Sequence, residues 1–163
     1  MKELSEILKT LYDAEVDFVV IGGAAMQLQG SAYVTQDLIF CYGRTPQNIK
    51  RLTAALKPYH PVLRGAPAGL PFTLDARTVT QGMNFTLSTS LGDLDFLGEV
   101  AGLGTYEQVK TAADTQVIDG MEIAVLSLVG LIKSKKAAGR PKDLYVLPEL
   151  EGLEQLKRNT GAK

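Results

Sequence analysis

The stretch from Phe18 to Phe40 constrains the fold more than any other part of the chain. It opens with Phe18–Ile21, a run of aromatic and β-branched residues that predicts a short buried strand. Gly22-Gly23 breaks this strand, and the residues from Ala24 onward predict a helix that begins at once. Glycine lets a ligand approach the backbone closely, and the free N–H groups at a helix start attract anions. The sequence therefore indicates a place for an anion at the glycine pair.

A second strand is predicted from Thr35 to Phe40, shortly after this helix. Side chains two residues apart on a strand share one face of the sheet. We therefore expect Asp37 to project beside the glycine turn. Ile39, two residues further on, is expected to point into the same cleft.

A predicted hairpin supplies two more carboxylates. Met83–Thr89 alternates as a strand, and Asp93–Leu97 returns after a turn. Asp93 and Asp95 alternate with apolar residues, so both side chains should face the same way. We interpret Asp93 as a turn residue beside Gly92, and Asp95 as a candidate site residue.

Other segments carry clear boundary signals. Thr45 followed by proline predicts a capped helix start, and Ser127 predicts another. The segment from Lys57 to Pro71 is rich in proline and glycine, which favours a long surface loop. We interpret this loop as a connector, with a flap over a neighbouring site as the alternative.

Residues 127–163 predict a pair of helices at the end of the chain. The first should end at Gly139, and the second should begin near Arg140. Lys135 continues the apolar stripe of the first helix. A lysine in line with a buried face either extends to solvent or meets a carboxylate or phosphate. We expect Lys135 and Arg140 to point into the cleft of Asp37, with Lys135 paired to Asp37 or Asp95.

The order of these segments resembles the nucleotidyltransferase superfamily. The family pattern is a glycine pair, a short spacer, two carboxylates one residue apart and a third carboxylate from a central strand. Asp37 matches the first carboxylate and Asp95 the third, whereas Ile39 stands where the second belongs. The segment from Leu131 to Asp143 resembles the C-terminal signature of the minimal, toxin-like branch of the superfamily.

The resemblance implies an α/β (α+β) fold, in which a mixed β-sheet is flanked by helices and followed by a C-terminal helical segment. It implies one domain over residues 1–163, with 127–163 as a helical pair packed on it. It also implies that Mg²⁺ is held by two catalytic residues, Asp37 and Asp95. The implied nucleotide-binding residues are Gly22, Gly23, Thr35, Lys135 and Arg140.

The activity implied is Mg²⁺-dependent transfer of a nucleoside monophosphate from a nucleoside triphosphate to a protein or RNA hydroxyl. Because isoleucine cannot ligate Mg²⁺, we expect Ile39 to impair this activity. The alternative is a catalytically inactive pseudoenzyme that binds a nucleotide or a partner. The toxin-like branch further implies an antitoxin as a possible partner.

The composition limits the classes of partner and site that this protein can have. The formal net charge of −1 provides no strong field for nucleic acid, so any such contact would need a local basic patch. Cys41 is the only cysteine, which excludes a disulfide framework and a cysteine-based zinc site. No segment approaches the ~20 apolar residues that span a bilayer. We expect a cytoplasmic protein without a membrane partner.

Overall fold

A mixed sheet with helices packed against it organises the chain. The computed structural model describes residues 2–35, 37–67 and 69–161. The helices in these ranges are α1 (Lys2–Asp13), α2 (Gly22–Leu28), α3 (Pro46–Leu56), α4 (Ala76–Gln81), α5 (Tyr106–Thr111), α6 (Leu128–Ala138), α7 (Pro141–Tyr145) and α8 (Leu147–Asn159). The strands there are β1 (Phe18–Ile21), β2 (Leu38–Tyr42), β3 (Val62–Leu63), β4 (Asn84–Thr89), β5 (Gly92–Leu97), β6 (Glu99–Val100), β7 (Gly104–Thr105), β8 (Ala113–Ile118) and β9 (Met121–Leu126).

The main sheet has seven strands in the order β3-β4-β5-β2-β1-β9-β8. β2 runs parallel to β5 and β1 parallel to β9, whereas the other neighbouring strands are antiparallel. β6 and β7 form a separate two-stranded sheet. The predicted mixed sheet flanked by helices is therefore confirmed.

The central strands divide their side chains between an aromatic core and the candidate site. Phe40 is fully buried, and its ring stacks on that of Phe96 with the centroids 5.3 Å apart. Phe40 and Phe96 are register partners on β2 and β5. The residues on either side of them along each strand point to the opposite face, because side chains alternate along a strand. Asp95, one of the carboxylates of the predicted site, lies on that opposite face.

The segment from Lys57 to Pro71 contains more structure than a surface loop, and the loop prediction is wrong in this respect. Lys57–Tyr59 forms a 3₁₀ turn, and β3 adds an edge strand to the main sheet. In β3, Val62 pairs with Ser88 and Leu63 with Leu87. A strand of two residues is too short to show alternation. The nearby proline and glycine residues therefore led to the prediction of a loop.

The predicted last helix is divided in two. α7 and α8 meet at Val146, and Pro148 is the second residue of α8. Proline has no N–H group to donate to the preceding turn, so one continuous helix cannot pass this point without losing a hydrogen bond. Within residues 127–161, the C-terminal segment therefore comprises three helices, with α6 packed against α8.

The second predicted strand begins later than its sequence pattern indicates. β2 starts at Leu38, whose register partner is Leu94 of β5, and Ile21 at the end of β1 lies opposite Ile39. Thr35 and Asp37 therefore precede the strand. Gln36, which the same prediction included, lies outside the described residues.

Candidate functional site

The glycine pair forms a tight junction between β1 and α2. Gly22 has a positive φ of 65°, a conformation that glycine adopts without steric cost. A Cβ atom at Gly22 would lie 3.0 Å from Cδ1 of Ile39, and one at Gly23 would lie 2.7 Å from Cβ of Thr35. The side chains of Thr35 and Ile39 therefore pack directly on the two glycines.

The strand register brings the predicted carboxylates to one face. Ile39 pairs with Ile21 on β1 and with Asp95 on β5, so these three side chains form one row across the sheet. Asp93 precedes Asp95 by two residues on β5 and shares its face. Asp37 lies just before β2, and its charge acts on Asp95. The Asp37 N–H donates to Oγ1 of Thr35 at 3.0 Å. The structure thus places Asp93 and Asp95 on one face of β5, and Asp37 and Asp93 line one depression.

An arginine that the sequence analysis did not select joins these carboxylates. Arg64 follows β3, and its Nη2 donates a short hydrogen bond to Oδ1 of Asp95. Its Nη1 lies 3.5 Å from Oδ2 of Asp93. The exposed fractions of the three side chains are 30% for Arg64, 46% for Asp93 and 17% for Asp95. The ion pair of Arg64 with Asp95 is therefore both shorter and less solvated than its ion pair with Asp93.

The charges at this site affect one another. Burial lowers the pKa of the Arg64 guanidinium, but the hydrogen bond from Arg64 to Asp95 and the charge of Asp95 raise it. The charges of Asp93 and Asp37 also raise it, so that the pKa of Arg64 lies above its ordinary value. Burial raises the pKa of the Asp95 carboxyl, and Asp37 and Asp93 add to this effect while Arg64 opposes it. One guanidinium therefore compensates the three carboxylates only in part.

The residues present do not fit the Mg²⁺ site that the resemblance implies. Ile39 brings apolar surface beside Asp95, its register partner, and Arg64 already binds Asp95 with a positive charge. Across residues 2–35, 37–67 and 69–161, no three His, Cys, Asp or Glu side chains are grouped so that they could hold a metal ion. A pair of divalent ions needs several oxygen ligands at fixed positions, which this arrangement does not provide.

A depression of about 660 Å³ opens beside Asp37. Its charged lining side chains are all carboxylates. The residues that line it are Glu3, Gln27, Val34, Thr35, Asp37, Leu38, Leu91, Gly92 and Asp93. Because the lining is acidic, it repels a triphosphate that is not accompanied by cations.

Lys135 and Arg140 meet a different carboxylate from the one expected. Nζ of Lys135 lies 3.4 Å from Oδ1 of Asp143, and Nε of Arg140 lies 2.6 Å from Oδ2 of the same residue. Asp143 is only 1% exposed. The pairing of Lys135 with Asp37 or Asp95 is therefore not present, and within the described residues no ion pair joins Lys135 or Arg140 to either of them.

Arg64 was missed because its neighbourhood gave a misleading signal. It lies among Pro61, Gly65 and other residues typical of loops, and β3 is too short to reveal which way its side chain points. The usable signal would have been pairing with β4, since the Arg64 N–H donates to the Thr86 carbonyl at 2.9 Å. Such pairing is a long-range property that the local pattern does not contain.

Comparison with solved structures shows that this chain has the nucleotidyltransferase fold. No protein-family model matches the chain, and no curated protein sequence does. The fold is nevertheless shared with solved structures over nearly their whole length. None of the described helices combines the length and apolar character that crossing a bilayer requires.

Three solved structures illustrate the likeness. The lincosamide antibiotic adenylyltransferase LnuA, bound to lincomycin, superposes with a TM-score of 0.60 at 16% identity, over 94% of this chain and 97% of that chain. ANT(2″)-Ia, in complex with adenylyl-2″-tobramycin, gives 0.55 at 12% identity over 98% and 97%. TM1012 of Thermotoga maritima, a candidate nucleotidyltransferase, gives 0.52 at 15% identity over 100% and 96%. At these identities the likeness establishes the fold alone.

Proposed function

We propose that this chain is a pseudoenzyme of the nucleotidyltransferase fold, which binds a partner and does not transfer nucleotides. The observation that carries the proposal is the position of Ile39. Its side chain contacts Gly22, and its register partner is Asp95. Ile39 therefore fills the place of a carboxylate with a group that cannot ligate a cation. Loss of a positioned metal ligand costs several kcal/mol of transition-state stabilisation, or about a thousandfold in rate.

In this proposal the predicted site residues no longer hold a metal ion or a nucleotide. Asp37 and Asp95 correspond to two of the metal ligands, and Gly22, Gly23 and Thr35 correspond to the phosphate site. The acidic depression disfavours free nucleotide, and Lys135 and Arg140 share the carboxylate of Asp143 instead of pairing with Asp37 or Asp95. Both observations favour a partner-binding role over a nucleotide-binding one. An antitoxin partner and an RNA or protein acceptor remain predictions from the resemblance.

The test is transfer of α-labelled ATP, GTP, CTP or UTP to cell RNA and protein, with Mg²⁺ or Mn²⁺ present. We expect no incorporation above that of a blank, because the ligand set is incomplete. A working adenylyltransferase of the same fold, assayed alongside, confirms that the conditions support the reaction. Calorimetric titration of ATP with Mg²⁺ should likewise give no saturable heat.

The competing function is Mg²⁺-dependent nucleotidyl transfer that tolerates Ile39. The matched control is Asp37→Asn, which removes the charge of the first carboxylate and preserves its shape. Label transfer by the unaltered protein that disappears in Asp37→Asn would overturn the proposal. Transfer that persists equally in both proteins would come from a contaminant and would leave the proposal in place.

A further inference from the structure

Arg64 lies in the same row of the sheet as Ile39 and Asp95. Its backbone N–H donates to Thr86, and Thr86 is the register partner of Asp95. Asp95 in turn pairs with Ile39 on β2. Paired residues on neighbouring strands place their side chains on the same face. The guanidinium of Arg64 therefore reaches across β4 to the face where the carboxylates lie.

We propose that Arg64 is a built-in counter-ion that replaces a divalent cation at this site, and that both Arg64 and Ile39 must change before the site binds one. This inference builds on the proposed function, since it concerns the same site. It goes further because it assigns a role to Arg64. The absence of a carboxylate at position 39 does not by itself explain why an arginine binds Asp95.

The contacts of Arg64 support this role. Its two terminal nitrogens face different carboxylates, with Nη2 on Asp95 and Nη1 3.5 Å from Asp93. A guanidinium holds its donors in a rigid planar fork, so one side chain can engage two carboxylates as a metal ion would. Its charge is permanent and its place is fixed by its contacts with β4, so it competes with any cation at that position.

The arrangement predicts that Ile39→Asp alone is not enough. A carboxylate at position 39 would lie beside Asp95 and within the field of Arg64. It would add another acceptor for the guanidinium and hold it more firmly. Conversely, Arg64→Gln alone frees Asp93 and Asp95, but Ile39, the register partner of Asp95, still supplies no oxygen ligand.

The experiment is a double-mutant cycle on the full chain. The four proteins are the unaltered chain, Arg64→Gln, Ile39→Asp and the double variant. Mn²⁺ binding is followed by the loss of the free-ion signal in electron paramagnetic resonance. We expect each single variant to bind Mn²⁺ as weakly as the unaltered chain, and the double variant to bind it at least about tenfold more tightly, which is a coupling of about 1.4 kcal/mol. Mn²⁺ should raise the melting temperature of the double variant alone.

Circular dichroism of each variant verifies that it is folded, and Arg77→Gln, the same change at an exposed arginine of α4, is the matched control. Binding by Ile39→Asp that equals the double variant would show that Arg64 does not compete with the cation. Binding by Arg64→Gln that equals the double variant, no binding by the double variant, or one-to-one binding by the unaltered chain would also overturn the inference. None of these results reports on nucleotide transfer, which is measured separately on the unaltered protein.

Discussion

Gly23 and Thr35 pack so closely that a methyl group added at Gly23 would clash with Thr35. Gly23 is buried in α2, and a Cβ atom there would lie 2.7 Å from Cβ of Thr35, a distance that forces one of the two elements to move. We expect Gly23→Ala to lower the free energy of unfolding by about 2 kcal/mol, as overpacking in a dense region does. Chemical denaturation measures the change.

Gly152→Ala is the matched control for this prediction. Gly152 lies in α8 with no atom within 4 Å of the added Cβ, so the same substitution meets open space. It should stabilise the protein by about 0.5–1 kcal/mol, because alanine is the better helix former. A stabilising effect of Gly23→Ala would contradict the close packing of Thr35 on the glycine pair.

At the residue scale, sequence reasoning succeeds where the signal is local. Thr45 caps α3 by accepting from the N–H of Asn48, Ser127 caps α6 through Gly130, and Gly139 ends α6 with a φ of 67°, all as predicted. The contact of Ile39 with Gly22 has no such local signal. Arg64 was missed for the same reason: its partners are about thirty residues away in sequence.

Among the elements, the joint between α6 and α7 depends on one buried carboxylate. Asp143 accepts from Nζ of Lys135 in α6, and from both the backbone N–H and the side chain of Arg140 just before α7. The hydrogen bond from Arg140 is the main reason that the pKa of Asp143 lies below its ordinary value of 3.8; burial opposes the shift, and Lys135 adds to it. The ionised carboxylate thus ties the two helices together.

The acid stability of the protein should depend on this joint. A carboxyl whose pKa is lower in the folded state contributes stability above its unfolded pKa and loses it as the pH falls through the folded pKa. At neutral pH, Asp143→Asn should therefore lower the free energy of unfolding by about 2 kcal/mol. The gap between variant and unaltered protein should close as the pH falls below 3.8. Urea denaturation across this pH range measures it.

Asp13→Asn is the comparison for this prediction. Asp13 pairs with Lys9 at 2.7 Å, but both side chains are more than half exposed, so the substitution should change stability far less. If Asp143→Asn were no more harmful than Asp13→Asn, or if its effect were the same below pH 3.8 as at neutral pH, the buried ion pair would not be what holds the joint.

The elements were predicted well where they are long and poorly where they are short. α1, α3, α4, α6 and the hairpin of β8 and β9 follow from their periodicity, caps and turn residues. β3, β6 and β7, with two residues each, lack a readable period. The break at Val146 also escaped prediction, because the leucine spacing continues through it.

For the molecule as a whole, the order of the sheet was beyond local patterns. The parallel pairs, β2 with β5 and β1 with β9, join strands that are distant in sequence. Only the resemblance to a known fold indicated the mixed sheet. The register that aligns Ile39 with Asp95 is set when β2 and β5 pair in the folded protein. The centre of the sheet is therefore formed by contacts that only the complete fold provides.

Cys41 can report on the opening of this centre. It lies fully buried on β2, between Val19 of β1 and Leu97 of β5. Burial, with a smaller effect from the charge of Glu107, raises the pKa of its thiol to about 12. Because the thiolate is the reactive form, a thiol reagent should label the native protein only after the central strands separate.

We therefore expect the labelling rate of Cys41 in native buffer to give the same free energy of opening as global unfolding measured by circular dichroism. The control carries Cys41→Ala with Val117→Cys, because Val117 on the edge strand β8 is 73% exposed and a thiol there should react at once. Rapid labelling of Cys41 in a protein that keeps its native spectrum would contradict this expectation. It would mean that β2, the strand that holds Ile39 at the candidate site, separates from its neighbours without unfolding of the whole molecule.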